Sequence, residues 1–245
     1  MNSRFEWATP EVGRARNGID VSSKGHSTYK IFSPFSHSSS YSIPVPGKES
    51  VRADSVEGIW QGLKIIDGVT DESLFHGRPK KRKGIPSGHR YEGFTWDNKP
   101  TLDYKSARKQ IYVPAYVYHA VNNCVDSVKE DLEHRLQSGN VVIYDVDSNG
   151  SINDLSQPYS HASLLVDLLN VLKDSPLPPF NKTHFTYLDE QTDAAYAYLP
   201  ELNGLQKELL WTVLTFAYRF SQDELKQSFG KHFIVAQGPS HLPAF

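Results

Sequence analysis

Apolar residues predict a helix over Ser55–Ile66, early in the chain. Four apolar side chains recur at spacings of three, four and three residues, namely Val56, Ile59, Leu63 and Ile66. This spacing places them on one face of an α-helix. Either Asp54 or Ser55 can cap the helix, because a short side chain with an oxygen accepts a hydrogen bond from the amides of the first turn.

Helical periodicity returns over residues 104–137. The segment Tyr104–Ile111 is predicted to be helical, and Pro114 either kinks this helix or begins a second one at its first turn. Apolar residues then continue at helical spacing to about Gln137, and Gly139 ends the helix. Three further helices are predicted later in the chain, over Ser160–Leu172, Leu205–Phe220 and Ser221–Phe229.

The predicted β structure is smaller. The first 50 residues are rich in Ser, Gly and Pro, and they favour loops and short strands over a helix. Aromatic and β-branched residues indicate strands around Tyr29–Phe35 and Tyr41–Val45. The apolar run Asn140–Tyr144 indicates a buried strand, which a turn-rich stretch follows.

These elements predict an α+β fold, a predominantly helical single domain with a small β component over residues 1–245. Within it we expect an irregular N-terminal segment at residues 1–28 and an irregular C-terminal tail at residues 234–245. A chain of 245 residues buries a sizeable core without disulfides. The single cysteine, Cys124, cannot form an intramolecular disulfide.

Charge and hydropathy exclude several functional classes. The 26 Lys and Arg residues nearly balance the 28 Asp and Glu residues, for a net charge of −2. This balance excludes a polycation that holds nucleic acid through bulk charge, although a local basic patch stays possible. No apolar run reaches the roughly 18 residues of a membrane span, and the first 30 residues lack the apolar core of a signal peptide. We therefore expect a cytoplasmic protein without a membrane partner.

The predicted helix over residues 55–66 carries a narrow polar stripe beside its apolar face. Glu57, Gln61 and Lys64 are spaced i, i+4 and i+7, and Trp60 lies on the border of the stripe. One interpretation is an exposed face with ordinary side-chain pairing. The other is an enclosed stripe, in which a carboxylate serves as an acid or base beside a lysine that binds phosphate.

Two glycines, Gly58 and Gly62, lie on a third face of the same helix. Each costs about 1 kcal/mol of helix stability relative to alanine. Their missing side chains allow another backbone or a ligand to approach closely. The sequence leaves open whether this face packs against the protein or forms a wall of a substrate site.

The spacing Ser55-x-Glu57-x-x-x-Gln61-x-x-Lys64 resembles the S-V-E-x-x-x-Q-x-x-K signature of the NADAR (YbiA-like) family of N-glycosidases. Two flanking segments are similar to family segments as well, Phe-Ser-Pro-Phe at 32–35 and Gly-Arg at 77–78. The resemblance covers residues 30–80. The later Trp-Gly and G-x-N-x-L-G elements of the family are missing, so the resemblance implies a divergent relative.

The resemblance implies hydrolysis of an N-glycosidic bond. Members of the family cleave phosphorylated aminopyrimidine intermediates of riboflavin synthesis, or remove ADP-ribose from guanine in nucleic acid. The implied partners are therefore an ADP-ribose-like or ribose-phosphate small molecule and ADP-ribosylated nucleic acid. Glu57 would be the catalytic carboxylate that stabilises an oxocarbenium-like transition state and orients a water. Lys64 would be the second catalytic residue and would hold phosphate together with Arg78.

Further substrate contacts follow from the same resemblance. Gln61 would donate or accept a hydrogen bond at the sugar or base, and Phe32 and Trp60 would stack on the base. For Trp60, packing in the core is the competing interpretation. Ser33, within the segment that is similar to the family, is assigned to substrate binding with them.

The stretch Asp145–Ile152 matches the opening of an EF-hand calcium loop, D-x-D-x-N-G-x-I. The bidentate glutamate that the loop requires at its twelfth position is replaced by Ser156, and a strand precedes the loop instead of a helix. A plain turn is the preferred interpretation, and we expect neither a metal nor a cofactor. Asp145 and Asp147 remain candidates for a second carboxylate in the site.

His161 is a substrate-binding candidate on a separate ground. It follows Ser160 at the predicted start of a helix, where free amides favour an anion such as phosphate. Capping and packing are the competing interpretation. The sequence contains no P-loop, Rossmann or G-x-S-x-G motif.

Two other functions stay open at this point. The same pocket could bind an ADP-ribose-like nucleotide without catalysis. Alternatively, the basic run at Lys80–Lys83 could dock a macromolecular partner, although such a run more often belongs to a solvated loop.

Overall fold

The computed structural model describes residues 3–25, 28–38, 42–82, 88–96 and 101–174, together with Leu209, Thr212 and Val213. Apart from these three residues, the predicted helices over Leu205–Phe220 and Ser221–Phe229 lie outside the described part of the chain. The predicted tail at residues 234–245 lies outside it as well.

The described residues form an α+β architecture of helices and small sheets. The strands are β1 (Phe5–Trp7), β2 (Ile19–Asp20), β3 (Ile43–Val45), β4 (Lys48–Ala53), β5 (Lys64–Ile66), β6 (Tyr91–Phe94) and β7 (Val141–Tyr144). The α-helices are α1 (Pro10–Ala15), α2 (Val56–Gly62), α3 (Tyr104–Ala107), α4 (Val113–Asn122), α5 (Asp126–Ser138) and α6 (His161–Asp174). Two 3-10 helices, Thr28–Phe32 and Glu72–Phe75, and a π-helical turn, Arg108–Tyr112, complete the set.

The central strand of the largest sheet is β7, which confirms the buried strand predicted at Asn140–Tyr144. It pairs in parallel with both β1 and β2 in the order β1-β7-β2, and all four of its residues are buried. Helix α6 packs against β1, β7 and α4, which confirms the helix predicted over Ser160–Leu172. No helix among the described residues is both long and apolar enough to cross a membrane.

The N-terminal segment, expected to be irregular over residues 1–28, instead supplies β1, α1 and β2. Its strands have only two or three residues, which is too short for an alternating pattern to show in the sequence. Phe5 and Ile19 become buried because they pair with β7, more than 120 positions away. The strand predicted at Tyr29–Phe35 is also wrong, since a 3-10 helix occupies Thr28–Phe32.

The helix predicted over Ser55–Ile66 is confirmed at its start and wrong at its end. The Ser55 hydroxyl accepts a hydrogen bond from the Gly58 amide at 3.0 Å, as an N-cap does. However, α2 ends at Gly62, and Lys64–Ile66 pairs antiparallel with β6. The two isoleucines after Lys64 favour a strand once β6 offers its edge. Lys64 therefore lies on a strand and not on the helix stripe.

The glycine face of α2 packs closely against the 3-10 helix Glu72–Phe75. A Cβ atom on Gly58 would lie 2.6 Å from the Leu74 carbonyl oxygen, and one on Gly62 would lie 2.5 Å from the Phe75 ring. Close packing is therefore the correct interpretation of the two glycines, and neither lines a substrate site. This packing fixes the rotation of α2, so that the opposite side of the helix faces the interior of the site.

We expect Gly58→Ala to lower the free energy of unfolding by about 1–3 kcal/mol, because the added methyl group meets backbone that cannot move aside. The gain in helix propensity only partly offsets this cost. Urea unfolding measures the effect, and Ser127→Ala, at an exposed position of α5, is the control. A Gly58→Ala variant as stable as the wild type would contradict the close packing.

The predicted helix over residues 104–137 is divided into several segments. Helix α3, the π-helical turn and α4 run on without a gap, and Pro114 lies in the first turn of α4. The chain then leaves the helix at Asn123–Val125 and re-enters it as α5, whose Val128 and Leu132 are buried. The π-helical turn takes one extra residue per turn, which changes the side-chain phase between α3 and α4.

Candidate functional site

A cavity of about 240 Å³ lies between α2, the π-helical turn and the start of α6. Seventeen residues line it, and they come from seven parts of the chain. They are Ser22, Ser23, Ser33, Pro34, Phe35, Glu57, Trp60, Gln61, Lys81, Tyr104, Arg108, Tyr112, Val146, Asp147, Pro158, Tyr159 and His161. The cavity thus brings together Glu57, Trp60 and Gln61 of the signature helix with Ser33 and His161.

Glu57 and Gln61 form the polar wall on α2, and both are buried. The Gln61 side-chain amide donates to a Glu57 carboxylate oxygen at 2.8 Å. In turn, the Gln61 side-chain oxygen accepts from the Lys64 ammonium at 3.1 Å and from the Arg82 amide at 3.3 Å. Because its oxygen is held by two donors, the amide of Gln61 is oriented with its nitrogen toward Glu57.

The enclosed interpretation of the polar stripe is therefore the one that fits the structure. Glu57 is only 6 % exposed. Burial raises the pKa of the Glu57 carboxyl, and it outweighs the opposing effects of the Gln61 hydrogen bond and of the charges of Lys81, Lys64 and His161. Burial likewise lowers the pKa of Lys64, despite the charge of Glu57. A carboxyl group with increased proton affinity in a cavity is suited to proton transfer.

The raised pKa of Glu57 has a consequence for stability. Such a group favours the folded state most below its unfolded pKa of about 4.5, and this benefit is lost as the pH rises through the higher folded value. We therefore expect the free energy of unfolding of Glu57→Gln, relative to that of the wild type, to be higher at pH 7.5 than at pH 4.5. Urea unfolding at both pH values measures this difference.

Glu92→Gln, at an exposed position of β6, is the control for the Glu57 titration. Its stability relative to the wild type should stay constant between the two pH values. If Glu57→Gln behaves in the same way as Glu92→Gln, the Glu57 carboxyl is not perturbed in the folded protein.

His161 and Asp145 form a buried ion pair on the far side of the cavity. The His161 Nδ1 atom lies 2.7 Å from an Asp145 carboxylate oxygen, and its Nε2 atom lies 3.1 Å from the Val21 carbonyl oxygen. Both ring nitrogens face acceptors, so the imidazolium form satisfies both. Ser160 and the Ala162 amide donate to the same Asp145 oxygen at 3.0 Å each.

This pairing shifts the pKa values of both groups in opposite directions. Burial alone would raise the pKa of Asp145, but the hydrogen bond and charge of His161, together with the backbone hydrogen bonds from Ala162 and Asp147, outweigh it, and the pKa is lowered. Burial alone would lower the pKa of His161, but the hydrogen bond and charge of Asp145 outweigh it, and the pKa is raised. His161 therefore lines the cavity beside a carboxylate that already pairs with it, and this pairing, not only the start of α6, holds its side chain in place.

The stretch that resembles a calcium loop forms a series of tight turns. The Asp145, Asn149 and Asp154 side chains each accept a hydrogen bond from the backbone amide two residues later, at 2.8–2.9 Å. These bonds support the turn interpretation. At the twelfth position, the Ser156 hydroxyl donates to Asp154 instead of facing Asp145.

Among the described residues, Asp145, Asp147 and His161 offer ligand atoms within 4.8 Å of one another, which is the spacing of a possible metal site. The hydrogen bonds of His161 do not fit this role. A metal would need a lone pair on a ring nitrogen, yet both nitrogens lie within hydrogen-bond distance of protein oxygen acceptors, at 2.7 Å and 3.1 Å. The cluster is better described as an ion pair with a neighbouring carboxylate, Asp147, at the cavity wall.

Aromatic side chains form the apolar wall of the cavity. The Trp60 ring lies 4.1 Å from Phe94 and 5.6 Å from both Tyr104 and Tyr112, measured between ring centroids. Trp60 is thus both packed against the core and part of the cavity wall. Phe32, in contrast, is 1 % exposed and does not line the cavity. Its carbonyl oxygen accepts from the Tyr116 hydroxyl at 2.9 Å, which is a structural role.

The cations of the cavity differ from those that the sequence indicates. Lys64 reaches Glu57 through Gln61 and does not line the cavity, and Arg78 is exposed and does not line it either. Lys81 and Arg108 line it instead. Lys80 and Lys81 of the basic run are both exposed, but only Lys81 lines the cavity, with its ammonium nitrogen 5.6 Å from the centroid of the Phe35 ring. The last residue of the run, Lys83, lies outside the described residues.

The sequence does contain a signal for Arg108. Tyr104, Arg108 and Tyr112 follow one another at four-residue spacing on a helical segment. An arginine between aromatic residues on one face indicates a guanidinium that is enclosed by rings and does not face solvent. In the structure the Arg108 guanidinium lies 4.7 Å from the Tyr104 ring centroid and 6.0 Å from that of Tyr159.

Comparison with known proteins gives one informative result. Residues 11–165 match the model of DUF6939, a family of unknown function, and this match covers more than half of the chain. Neither the curated proteins nor the solved structures contain a match. All seventeen residues that line the cavity fall within the matched segment. The chain therefore belongs to the DUF6939 family.

Proposed function

We propose that this protein is a hydrolase that cleaves an N-glycosidic bond. Its substrate is an ADP-ribosylated guanine, in nucleic acid or as a nucleoside, or a ribose-phosphate metabolite. The domain is a divergent NADAR (YbiA-like) domain that acts in the cytoplasm. The observation that carries this proposal is Glu57, a buried carboxyl group that lines a cavity and is oriented by Gln61.

The chemistry of the bond requires such a group. When the bond between C1′ and the base nitrogen breaks, positive charge develops on the sugar, and a nearby carboxylate stabilises it. A water molecule adds to C1′ and loses a proton to the carboxylate, while the base leaves with the electron pair of the broken bond and takes up a proton from solvent, so that one water is added across the C1′–N bond. The Gln61 hydrogen bond to one Glu57 oxygen leaves the other oxygen for the water or the sugar.

The other walls of the cavity suit a base and its sugar. Trp60, Tyr104 and Tyr112 present aromatic rings, on which a planar base can stack. At about 240 Å³ the cavity is somewhat smaller than sites that enclose a drug-sized ligand. We therefore expect it to enclose the base and the glycosidic bond, while the remainder of a larger substrate stays outside.

Mass spectrometry of base release tests the proposal directly. The full chain is incubated with DNA that carries ADP-ribosylated guanine, with the corresponding nucleoside, and with ribose-phosphate nucleosides. Time-dependent release of unmodified guanine product, or of a free base from the ribose-phosphate compounds, supports the proposal. If the protein releases no base from any of these compounds and binds none of them, the proposal is overturned.

A second candidate function is binding of an ADP-ribose-like nucleotide without catalysis. The observation in its favour is that the cavity combines aromatic walls with two cations, Lys81 and Arg108, which suffice for binding. Thermal unfolding in the presence of ADP-ribose, combined with the base-release assay, separates the two functions, because both bind the nucleotide but only the hydrolase forms product. A binding protein gains about 2.7 kcal/mol at a ligand concentration of 100 times the dissociation constant and forms no product.

A further inference from the structure

Arg108 is the largest side chain among those that the structure buries completely, at 2 % exposure, and it also lines the cavity. Its two terminal nitrogens donate to three backbone carbonyl oxygens of the turn-rich loop at residues 145–157. The acceptors are Ile152 at 3.1 Å, Asp154 at 2.5 Å and Gln157 at 2.6 Å. The π-helical turn places the side chain there, and the loop closes around it.

These contacts leave part of the guanidinium unsatisfied. Within the part of the chain that the structure describes, the Arg108 Nε atom is buried without a hydrogen-bond acceptor. Over the same residues, no carboxylate forms a salt bridge with Arg108. A buried donor without a partner costs about 1–3 kcal/mol, and a cationic donor costs more. Such a group in a cavity wall is suited to an anionic ligand that supplies the missing acceptor.

Lys81 provides a second cation for the same ligand. It lines the cavity from a different part of the chain, and its ammonium group stays above the Phe35 ring. None of the salt bridges among the described residues includes Lys81. Two lining cations from different segments match a group that has several anionic oxygens, which a phosphoryl group has.

We propose that Arg108 and Lys81 form the phosphoryl-binding subsite of this cavity, with the Arg108 Nε–H and the Lys81 ammonium donating to oxygens of a phosphate or diphosphate. This inference rests on the proposed function for the identity of the whole substrate, but it concerns binding and does not require turnover. It moves phosphate recognition from Lys64 and Arg78 to residues that line the cavity.

Isothermal titration calorimetry with ADP, adenosine and inorganic pyrophosphate tests this subsite. The wild type should bind ADP at least tenfold more tightly than adenosine, and the affinity should fall as the salt concentration rises. Lys81→Gln should weaken ADP binding about tenfold and leave adenosine binding unchanged. The matched control is Lys80→Gln, which removes the same charge from the neighbouring exposed residue and should bind ADP as the wild type does.

Arg108→Gln should weaken ADP binding more than Lys81→Gln does. Because Arg108 also holds the loop, the folding of the Arg108→Gln variant is checked by circular dichroism. If this variant fails to fold, Lys81→Gln still tests the subsite. Succinate, a dicarboxylate, is titrated as a control anion. Any one of three results would overturn the subsite: equal affinity for ADP and adenosine, equal loss of ADP affinity in the Lys80→Gln and Lys81→Gln variants, or succinate binding as tight as that of pyrophosphate.

The two proposals can fail separately. If ADP binding depends on Lys81 but no glycosidic substrate is cleaved, the subsite stands and the hydrolase does not. If a nucleoside without phosphate is cleaved as fast as its phosphorylated form, the hydrolase stands and the subsite does not.

Discussion

Replacing Glu57 with glutamine is expected to reduce the rate of base release by about 10²–10⁴-fold, the range for loss of a general acid or base. Glutamine has almost the same size and can still accept the hydrogen bond from Gln61, so the cavity keeps its shape. It cannot take a proton from water or carry the charge that stabilises the sugar cation. Mass spectrometry of base release at saturating substrate measures the effect on kcat.

Binding to the same variant identifies the step that is lost. ADP-ribose should bind to Glu57→Gln within a few fold of its wild-type affinity, because the phosphoryl group contacts other residues. The Glu92→Gln variant, at an exposed position, should keep full activity. Turnover by Glu57→Gln at the wild-type rate would remove Glu57 from the mechanism.

Replacing Asp145 with alanine is expected to lower the free energy of unfolding by about 3–5 kcal/mol, as observed when one partner of a buried ion pair is removed. The variant leaves His161 without its counter-charge, and it also leaves Ser160 and the Ala162 amide without their acceptor. Urea unfolding near pH 5.5 measures the loss. Asp154→Ala, which removes an exposed carboxylate from the same loop, is the control.

The pH dependence of this loss distinguishes an ion pair from simple packing. The lowered pKa of Asp145 contributes stability above its unfolded value of about 3.8, which is lost as the pH falls through the folded value. The raised pKa of His161 contributes stability below about 6.5, which is lost as the pH rises through the folded value. The difference between the wild type and Asp145→Ala should therefore be largest between about pH 4 and 6.5. A difference that stays constant from pH 3 to pH 9 would contradict the ion pair.

Local patterns predict the elements that build the centre of the site. The spacing over residues 55–63 is sufficient to place Glu57 and Gln61 on one side of a helix, because this relation depends on helical geometry alone. The N-cap at Ser55 and the strand at Asn140–Tyr144 are local in the same sense. These elements are confirmed, and they account for most of the polar wall on α2.

Contacts between distant segments decide the rest of the site. Lys81 and Arg108 are 27 positions apart in the sequence, and no local pattern indicates that they share a cavity. Lys64 and Arg78 match a motif by spacing, but a strand and an exposed turn carry them away from the cavity. Likewise, β1 and β2 are too short to detect until β7 pairs with both.

The parallel arrangement of β1, β7 and β2 has a further consequence, for where this family can vary. All three strands point the same way, so the segments that follow them emerge at one edge of the sheet. Ser22 and Ser23 follow β2, and Asp147 follows β7, and all three line the cavity. Loops that enter the strands emerge at the opposite edge. We therefore expect that changes in the loops that precede these strands leave the ligand unaltered. Changes in the segments that follow the carboxyl ends of the strands should alter which ligand is accepted.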